Sequence, residues 1–186
     1  MASSGTSTNK QTHAKLRELC MLALCAPMII AGKVLLEPIP NVEIVTFFII
    51  LFTVVFGWRA LFPVAIFVLE EGLRYGFAPH WYIFYCVIWP LLSILTLLLR
   101  RWFRDSAVAW AIFASIVFVP IFSLTNIFIL KVLLGMNFKV WAYLLPEIPY
   151  DVAHIVGNFA ITLALFKPLY RVLERLLKTG NDPIPD

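Results

Sequence analysis

The amino-acid sequence predicts an all-α integral membrane protein, a six-transmembrane-helix bundle with both termini in the cytoplasm (N-in/C-in). Of its 186 residues, 61% are hydrophobic and only 14% are charged, whereas about a quarter of the residues of soluble domains are charged. The mean hydropathy is +0.88. In a bilayer every backbone polar group must be paired within the protein, which leaves helices or closed barrels. The long apolar runs lack the alternating pattern of barrel strands, so the sequence predicts helices.

Six apolar runs are candidates for helices that cross a hydrocarbon core, which takes about 20 residues. They cover residues 16–36, 43–56, 60–75, 81–99, 107–134 and 150–169. The fifth run is long enough to tilt, or to break near Pro120 or Asn126. The polar residues 1–14 predict a disordered cytoplasmic tail, residues 15–179 the membrane domain, and residues 180–186 a second cytoplasmic tail.

The basic residues predict the orientation of the bundle. Four of the fifteen lysines and arginines fall on the outer side if the N-terminus is inside: Lys33, Arg74, Lys131 and Lys139. The other eleven then face the cytoplasm, as the positive-inside rule requires. They stand singly or in pairs at the ends of apolar runs, so they indicate topology rather than a surface for nucleic acid.

Most acidic residues fall at the opposite, outer end. They are Glu37, Glu43, Glu70, Glu71, Glu147 and Asp151. Several are embedded in apolar sequence, where a charge costs several kcal/mol unless it is paired or hydrated. Such residues are candidates for a binding site. The three cysteines lie in apolar runs without a C-x-x-C pair, so we interpret them as core residues and expect neither a metal nor a cofactor.

The sixth run carries Asp151, His154 and Asn158, whose spacing of i, i+3 and i+7 places them on one helix face. One interpretation is a polar wall that recognises a heterocycle or hydroxyl groups. The other is a network of hydrogen bonds between helices. Three polar residues on one face exceed what packing needs, and we therefore predict that they bind a substrate.

The third run predicts a second part of the site. Glu70 and Arg74 are spaced i, i+4 and are expected to form a structural salt bridge. Glu71 then points elsewhere without a local partner, with Tyr75 four residues further on. We predict that Glu71 faces a ligand and that Tyr75 lies beside it.

Two further sets of residues complete the predicted site. The turn after the first run leads through Asn41, which is either the N-cap of the second helix or a ligand contact, to Glu43, a further candidate. Aromatic residues are frequent at the outer end and mostly indicate an interfacial belt. Trp81 and Trp141 are our candidates for stacking on a planar ligand.

The first run also has a face of small residues. Ala23, Ala26, Ala31 and Gly32, together with Pro27, allow another helix to approach closely. This partner is either a helix of the same bundle or another protein.

Part of the sequence resembles the intramembrane metalloproteases of the CAAX-processing type. The elements concerned are Glu70-Glu71 with Arg74, Phe77 with His80, and His154 with Asn158. The first two are one residue shorter than in that family and only the third has its spacing. A shift of one residue turns a helical side chain by about 100°.

A second resemblance covers nearly the whole chain. The small-residue first helix is followed in order by segments similar to those of the S components of energy-coupling-factor (ECF) vitamin transporters. These segments are residues 22–27, 40–46, 56–58, 69–77, 148–159 and 166–168. The resemblance implies six helices in a prokaryotic cytoplasmic membrane and no enzymatic activity. The chain has no Gly-x-x-x-x-Gly-Lys phosphate loop, as expected of a subunit that hydrolyses nothing itself.

The resemblance to S components also implies a mechanism and partners. Such a subunit binds a vitamin in an outward pocket, topples in the membrane, and docks on a transmembrane coupling subunit driven by two ATPase subunits. In that family docking uses an Ala-x-x-x-Ala face, which corresponds here to Ala23, Pro27 and Ala31. Because acids outnumber bases at the outer end, we expect a neutral or cationic aromatic vitamin: thiamine, its hydroxymethylpyrimidine precursor, or pyridoxine. A membrane scaffold without a small ligand is the remaining alternative.

Overall fold

The computed structural model describes residues 4–39 and 42–178, in which all regular structure is helical. Within these ranges the helices are, in chain order, α1 Ser4–Leu36, α2 Val45–Phe56, α3 Leu61–Tyr75, α4 Pro79–Phe103, α5 Ala107–Leu133 and α6 Val140–Lys178. A short 3₁₀ turn, Gly57–Ala60, joins α2 to α3. The prediction of an all-α protein is confirmed.

In the part of the chain that the structure describes, five stretches of helix are long and apolar enough to cross a membrane. They are Lys15–Leu36, Val45–Tyr75, His80–Phe103, Ala107–Leu133 and Val140–Leu177. These lengths are compatible with a multi-pass membrane protein. The sequence predicts two crossing helices within Val45–Tyr75. In the structure this stretch consists of α2 and α3, joined by the 3₁₀ turn without a non-helical break.

Contacts with α1 show that the chain reverses its direction between α2 and α3. The start of α2 lies beside Gly32, where an added Cβ would stand 2.6 Å from Ile44. The turn that follows α2 returns to the other end of α1, because Arg59 pairs with Glu18. At the end of α3, Glu71 pairs with Lys33 of α1. Helix α2 is therefore antiparallel to α1, and α3 is parallel to it.

The reversal depends on Gly57. Its backbone has φ +64°, in the left-handed region that side chains disfavour, and an added Cβ would lie 2.8 Å from Nη1 of Arg100 in α4. Helix α2 leads into this turn as the most buried element of the bundle, with ten of its twelve residues buried. It packs against α1, α4 and α6, which explains why its sequence is apolar on every face.

Two predicted helix starts differ from the structure. Helix α1 begins at Ser4 and includes residues 4–14 of the predicted tail, because each residue added to an existing helix contributes one hydrogen bond for the one residue that is fixed. Helix α6 begins ten residues before the predicted start. Pro146 and Pro149 lie inside α6, and the hydrogen bond between Asn126 of α5 and Tyr143 holds this part of the helix against the bundle. The predicted tail of residues 180–186 lies outside the described residues.

Helix α5 does not break at Pro120 or Asn126. It widens instead into two π segments, Phe113–Val117 and Ile129–Leu133. The first π segment precedes Pro120, which lacks an N–H group and whose ring would collide with a regular helix carbonyl one turn earlier. A π turn accommodates the proline while the helix continues.

Candidate functional site

Two clefts containing the predicted polar residues open at the end of the bundle where α1 and α3 finish and α2 begins. The first, called the Lys33 cleft below, lies between α1, α3 and α4 and has a volume of about 360 Å³. It is lined by Lys33, Glu37, Glu71, Tyr75, Trp81 and Tyr85. Three of these residues, Glu71, Tyr75 and Trp81, belong to the predicted substrate site.

An ion pair between Lys33 and Glu71 forms the floor of the Lys33 cleft. The side chain of Glu71 is only 1% exposed, and that of Lys33 is 23% exposed. The ammonium contacts Oε2 of the carboxylate, while the other oxygen, Oε1, is buried and has no hydrogen-bond partner in the described part of the chain. The prediction that Glu71 lacks a local partner holds for its own helix, but its charge is balanced by α1.

Aromatic rings surround the ammonium of Lys33. Its Nζ lies 4.9 Å from the ring centroid of Tyr75, 5.4 Å from that of Tyr85 and 6.0 Å from that of Phe67. Each ring face is electronegative and attracts a cation within about 6 Å. The cage and the carboxylate together compensate the cost of a charge in apolar surroundings.

The rim of the Lys33 cleft is ordered by hydrogen bonds and ring contacts. The Tyr75 hydroxyl donates to Oε1 of Glu37 at 2.9 Å, and the Trp81 ring makes edge contacts with Tyr75 and Tyr85 at centroid distances of 6.5 and 5.4 Å. The predicted salt bridge from Arg74 is present on the neighbouring face of α3, with 3.4 Å between its Nε and Oε1 of Glu70. The two adjacent carboxylates thus have different partners, Arg74 for Glu70 and Lys33 for Glu71.

The second cleft, called the His154 cleft below, lies between α5 and α6 and is smaller, about 160 Å³. Its lining residues are Phe122, Ser123, Asn126, Tyr143, Glu147, Tyr150, Asp151 and His154. Both oxygens of Asp151 lie 3.1 Å from the Ser123 hydroxyl. This contact joins α6 to α5 across the cleft.

Glu43 links the His154 cleft to the start of α2. Its Oε1 lies 3.2 Å from Nε2 of His154, and its Oε2 accepts from the backbone N–H of Thr46 at 3.0 Å. The second contact caps α2, because it occupies a donor that the first helical turn leaves free. Burial raises the pKa of the Glu43 carboxyl, but the hydrogen bonds from His154 and Thr46 and the charge of a protonated His154 outweigh it, so the pKa is lowered.

Asn158 does not line either cleft. It is 1% exposed and lies deeper in the bundle, where its Nδ2 donates to the carbonyl of Ala114 at 3.2 Å. That carbonyl belongs to the π segment of α5, whose altered turn presents it to α6. The predicted polar face of α6 is therefore divided between the cleft, with Asp151 and His154, and an interhelical hydrogen bond at Asn158.

A row of aromatic rings connects the two clefts. From Tyr85 the centroid distances are 5.5 Å to Trp89, then 6.1 Å from Trp89 to Phe122 and 5.6 Å from Phe122 to His154. The indole nitrogen of Trp89 is buried and has no partner within the described residues. The clefts thus share a wall of packed rings from α4 and α5.

The remaining site predictions have different outcomes. Trp141 is 61% exposed and lines neither cleft. Asn41 lies outside the described residues. The sequence reasoning assigned Lys33 only to topology, although a lone ammonium within an apolar helix requires a compensating partner. It also missed Ser123, because a single hydroxyl in an apolar run gives no distinctive signal.

The small residues of α1 divide into two faces. Ala26 is buried, 1% exposed, and packs inside the bundle. Ala23, Pro27 and Ala31 are exposed on the opposite side. Of the two interpretations that the sequence left open, internal packing therefore applies to Ala26, and the exposed face has no partner among the described residues.

The geometry of the protease-like elements does not assemble a metal centre in the described residues. Glu71 pairs with Lys33 in one cleft and His154 with Glu43 in the other. No group of three or more histidine, cysteine, aspartate or glutamate side chains in this part of the chain is placed to hold a metal ion.

No protein-family model, curated protein or solved structure matches this chain.

Proposed function

We propose that this protein is the S component of an ECF-type importer in a prokaryotic cytoplasmic membrane and binds a small heteroaromatic vitamin or vitamin precursor. The observation that carries the proposal is the pair of polar, aromatic-walled clefts at one end of an otherwise apolar bundle. A capture site of this kind needs a few directed polar groups in an apolar wall. The Lys33 cleft supplies the buried oxygen of Glu71 and the faces of Trp81 and Tyr85.

The proposal includes six crossings with both termini inside. Because α2 and α3 are antiparallel, each makes its own passage, although both are shorter than the roughly 20 residues of an ordinary membrane helix. The end of the bundle marked by the Glu18–Arg59 pair then faces the cytoplasm. The clefts open to the outside, where a nutrient is captured.

The ion pair narrows the class of substrate. In the sequence, acidic residues outnumber basic residues at the end of the bundle where the clefts open, and this excess favours a neutral or cationic ligand. Lys33 neutralises Glu71, so a cation would have to displace a tethered ammonium from its cage. The unpartnered Oε1 of Glu71 instead favours an uncharged planar ring that carries an N–H or O–H donor. An aminopyrimidine or a pyridine alcohol has this chemistry, so hydroxymethylpyrimidine and pyridoxine rank above thiamine.

Delivery requires partners. In the proposed mechanism the loaded subunit docks on a transmembrane coupling subunit, and two ATPases supply the energy. The exposed face of Ala23, Pro27 and Ala31 is the proposed docking surface, because small side chains allow close approach of another helix.

Two tryptophans provide a matched test of binding at the Lys33 cleft. The protein is purified in detergent and titrated by calorimetry with hydroxymethylpyrimidine, pyridoxine and thiamine. We expect a dissociation constant below about 1 µM for one of them, equivalent to about −8 kcal/mol. Trp81→Ala should weaken binding about tenfold through loss of a ring contact.

The control is Trp141→Ala, which removes an exposed indole outside both clefts and should leave the affinity unchanged. If none of the three compounds binds below about 1 µM, the transporter proposal fails and a scaffold without a ligand is favoured. Equal losses in the two variants would place the ligand outside the Lys33 cleft.

A further inference from the structure

A groove lined almost entirely by apolar side chains runs between α4 and α5 at the end of the bundle opposite the two clefts. Its volume is about 660 Å³. Its walls include Leu98, 61% exposed, and Val117, 44% exposed, over a floor formed by the buried Phe113. The chain therefore leaves an apolar channel uncovered on its outer surface.

The groove leads into a cluster of arginines. An adjoining cleft of about 450 Å³ is lined by Arg100, Arg101 and Arg104 together with Asp105 and Glu174. Arg101 lines both the groove and this cleft. An apolar channel that ends at several guanidinium groups matches a molecule with a hydrocarbon chain and an anionic head.

Two of the three guanidinium groups contact other parts of the fold: that of Arg101 lies 4.7 Å from the ring centroid of Trp102, and that of Arg100 lies beside Gly57. None of the three forms an ion pair with any side chain in the described ranges 4–39 and 42–178. Of the two acids nearby, Glu174 already accepts from the Tyr170 hydroxyl at 2.8 Å, and Asp105 is exposed. Three cations therefore face two anions, one of which is engaged, so the cluster retains positive charge.

The backbone holds the cluster in place. Arg104 has φ +47°, the one non-glycine residue of the described chain with positive φ. Its N–H donates to the carbonyl of Arg100 at 2.9 Å, and its carbonyl accepts from Nε1 of Trp110 at 2.9 Å. These two hydrogen bonds fix the backbone turn at Arg104, beside the mouth of the groove.

The shape of the groove has a local cause. Phe113 and Val117, which line it, are the first and last residues of a π segment. A π turn inserts one residue into the helix and is frequent at functional sites. A regular α-helical turn at this position would carry these two side chains at a different angle to α4.

We infer that this groove binds an anionic phospholipid, with an acyl chain along α4 and α5 and the phosphodiester held by Arg101 and Arg104. Arginine is suited to phosphate because its planar group donates two parallel hydrogen bonds. Basic pockets between membrane helices favour such head groups. The site stands apart from both clefts and from the exposed face of α1, so it does not depend on the proposed transport function.

Native mass spectrometry of the full chain in detergent tests the inference with dioleoyl phosphatidylglycerol and dioleoyl phosphatidylcholine as probes. We expect retention of phosphatidylglycerol at concentrations where phosphatidylcholine is lost. The double variant Arg101→Gln/Arg104→Gln should bind phosphatidylglycerol about 25-fold more weakly, at roughly fivefold per arginine.

A matched control removes two charges at the same end of the bundle but outside the groove. Lys167→Gln/Arg171→Gln should change the affinity less than twofold. The predicted position of the acyl chain is tested by Val117→Trp, which fills the groove and should also weaken binding of phosphatidylglycerol. The melting temperature of each variant verifies that the variant is folded. Equal retention of the two lipids, equal losses in the two double variants, or displacement by an equal concentration of glycerol 3-phosphate would overturn the inference.

Discussion

Removal of the Lys33 ammonium is the most informative perturbation of the candidate site. In Lys33→Met, the carboxylate of Glu71 stays 1% exposed and loses its compensating charge. Breaking a buried ion pair from one side costs about 3–5 kcal/mol. Because Lys33 itself is 23% exposed, we expect the lower limit, about 3 kcal/mol. For a chain of this length that corresponds to a drop in melting temperature of roughly 6–12 °C.

The reverse substitution should cost less. In Glu71→Gln the ammonium of Lys33 keeps its three aromatic rings and its access to water, so we expect a loss of about 1 kcal/mol, in the range of one hydrogen bond. The double variant Lys33→Met/Glu71→Gln leaves no buried charge. Its stability should lie close to that of Glu71→Gln alone, giving a coupling energy of about 2–3 kcal/mol between the two sites.

The assay is the fraction of monodisperse protein after heating, measured by size-exclusion chromatography in one detergent. Lys131→Met is the matched control, because Lys131 faces the ring of Phe138 at 5.5 Å and has no carboxylate partner among the residues described. It should shift the melting temperature by less than 2 °C, in line with about 0.5 kcal/mol for a site outside a buried network. If the two single effects simply add in the double variant, Lys33 and Glu71 do not compensate each other and the account of the cleft is wrong.

Three further predictions concern other parts of the bundle. The pKa of the Glu43 carboxyl is lowered in the folded protein. The ionised carboxyl therefore contributes its full stabilisation above the ordinary pKa of about 4.3, and this stabilisation is lost as the pH falls through the lower pKa of the folded state. Melting temperatures measured between pH 6 and pH 3 should fall more steeply for the wild type than for Glu43→Gln, and parallel curves would refute this. Asn158→Ala should destabilise the bundle by about 1–3 kcal/mol, because the carbonyl of Ala114 loses its hydrogen-bond donor. The ligand affinity measured by calorimetry should not change, and a loss of affinity would place Asn158 in the binding site. Gly72→Ala should lower the melting temperature, because the Cβ of the introduced alanine would overlap the ring of Phe77 at a cost of about 1–3 kcal/mol. An unchanged melting temperature would show that the ring moves freely.

The positions of the helices were largely predictable because they follow from local properties of the chain. The end of α1 at Leu36, the end of α2 at Phe56 and the end of α3 at Tyr75 coincide with the predicted limits. Each is marked by glycine, proline or charge, which act within a few residues. The start of α6 was not predictable, because Pro146 and Pro149 signal termination locally and are overruled by contacts with α5.

The candidate site was predictable only in part. Glu71, Asp151 and His154 stand out because an acid or an imidazole within an apolar run needs a partner, and this holds without knowledge of the fold. Their partners are 38 residues away for Glu71 and 111 residues away for His154. No spacing rule along one helix reaches across such separations.

From the amino-acid sequence alone one can predict that this chain is helical, that most of its basic residues mark the expected cytoplasmic end, and which polar groups are too costly to leave alone in apolar surroundings. These properties follow from composition and from helical periodicity. How those charges are neutralised depends on the packing of the helices. This packing places Lys33 against Glu71 inside a ring cage, separates Asn158 from His154, and leaves three arginines beside an apolar groove without an ion pair among the described residues. Compensation of a charge depends on distances between helices, and these distances are set only when the whole bundle packs.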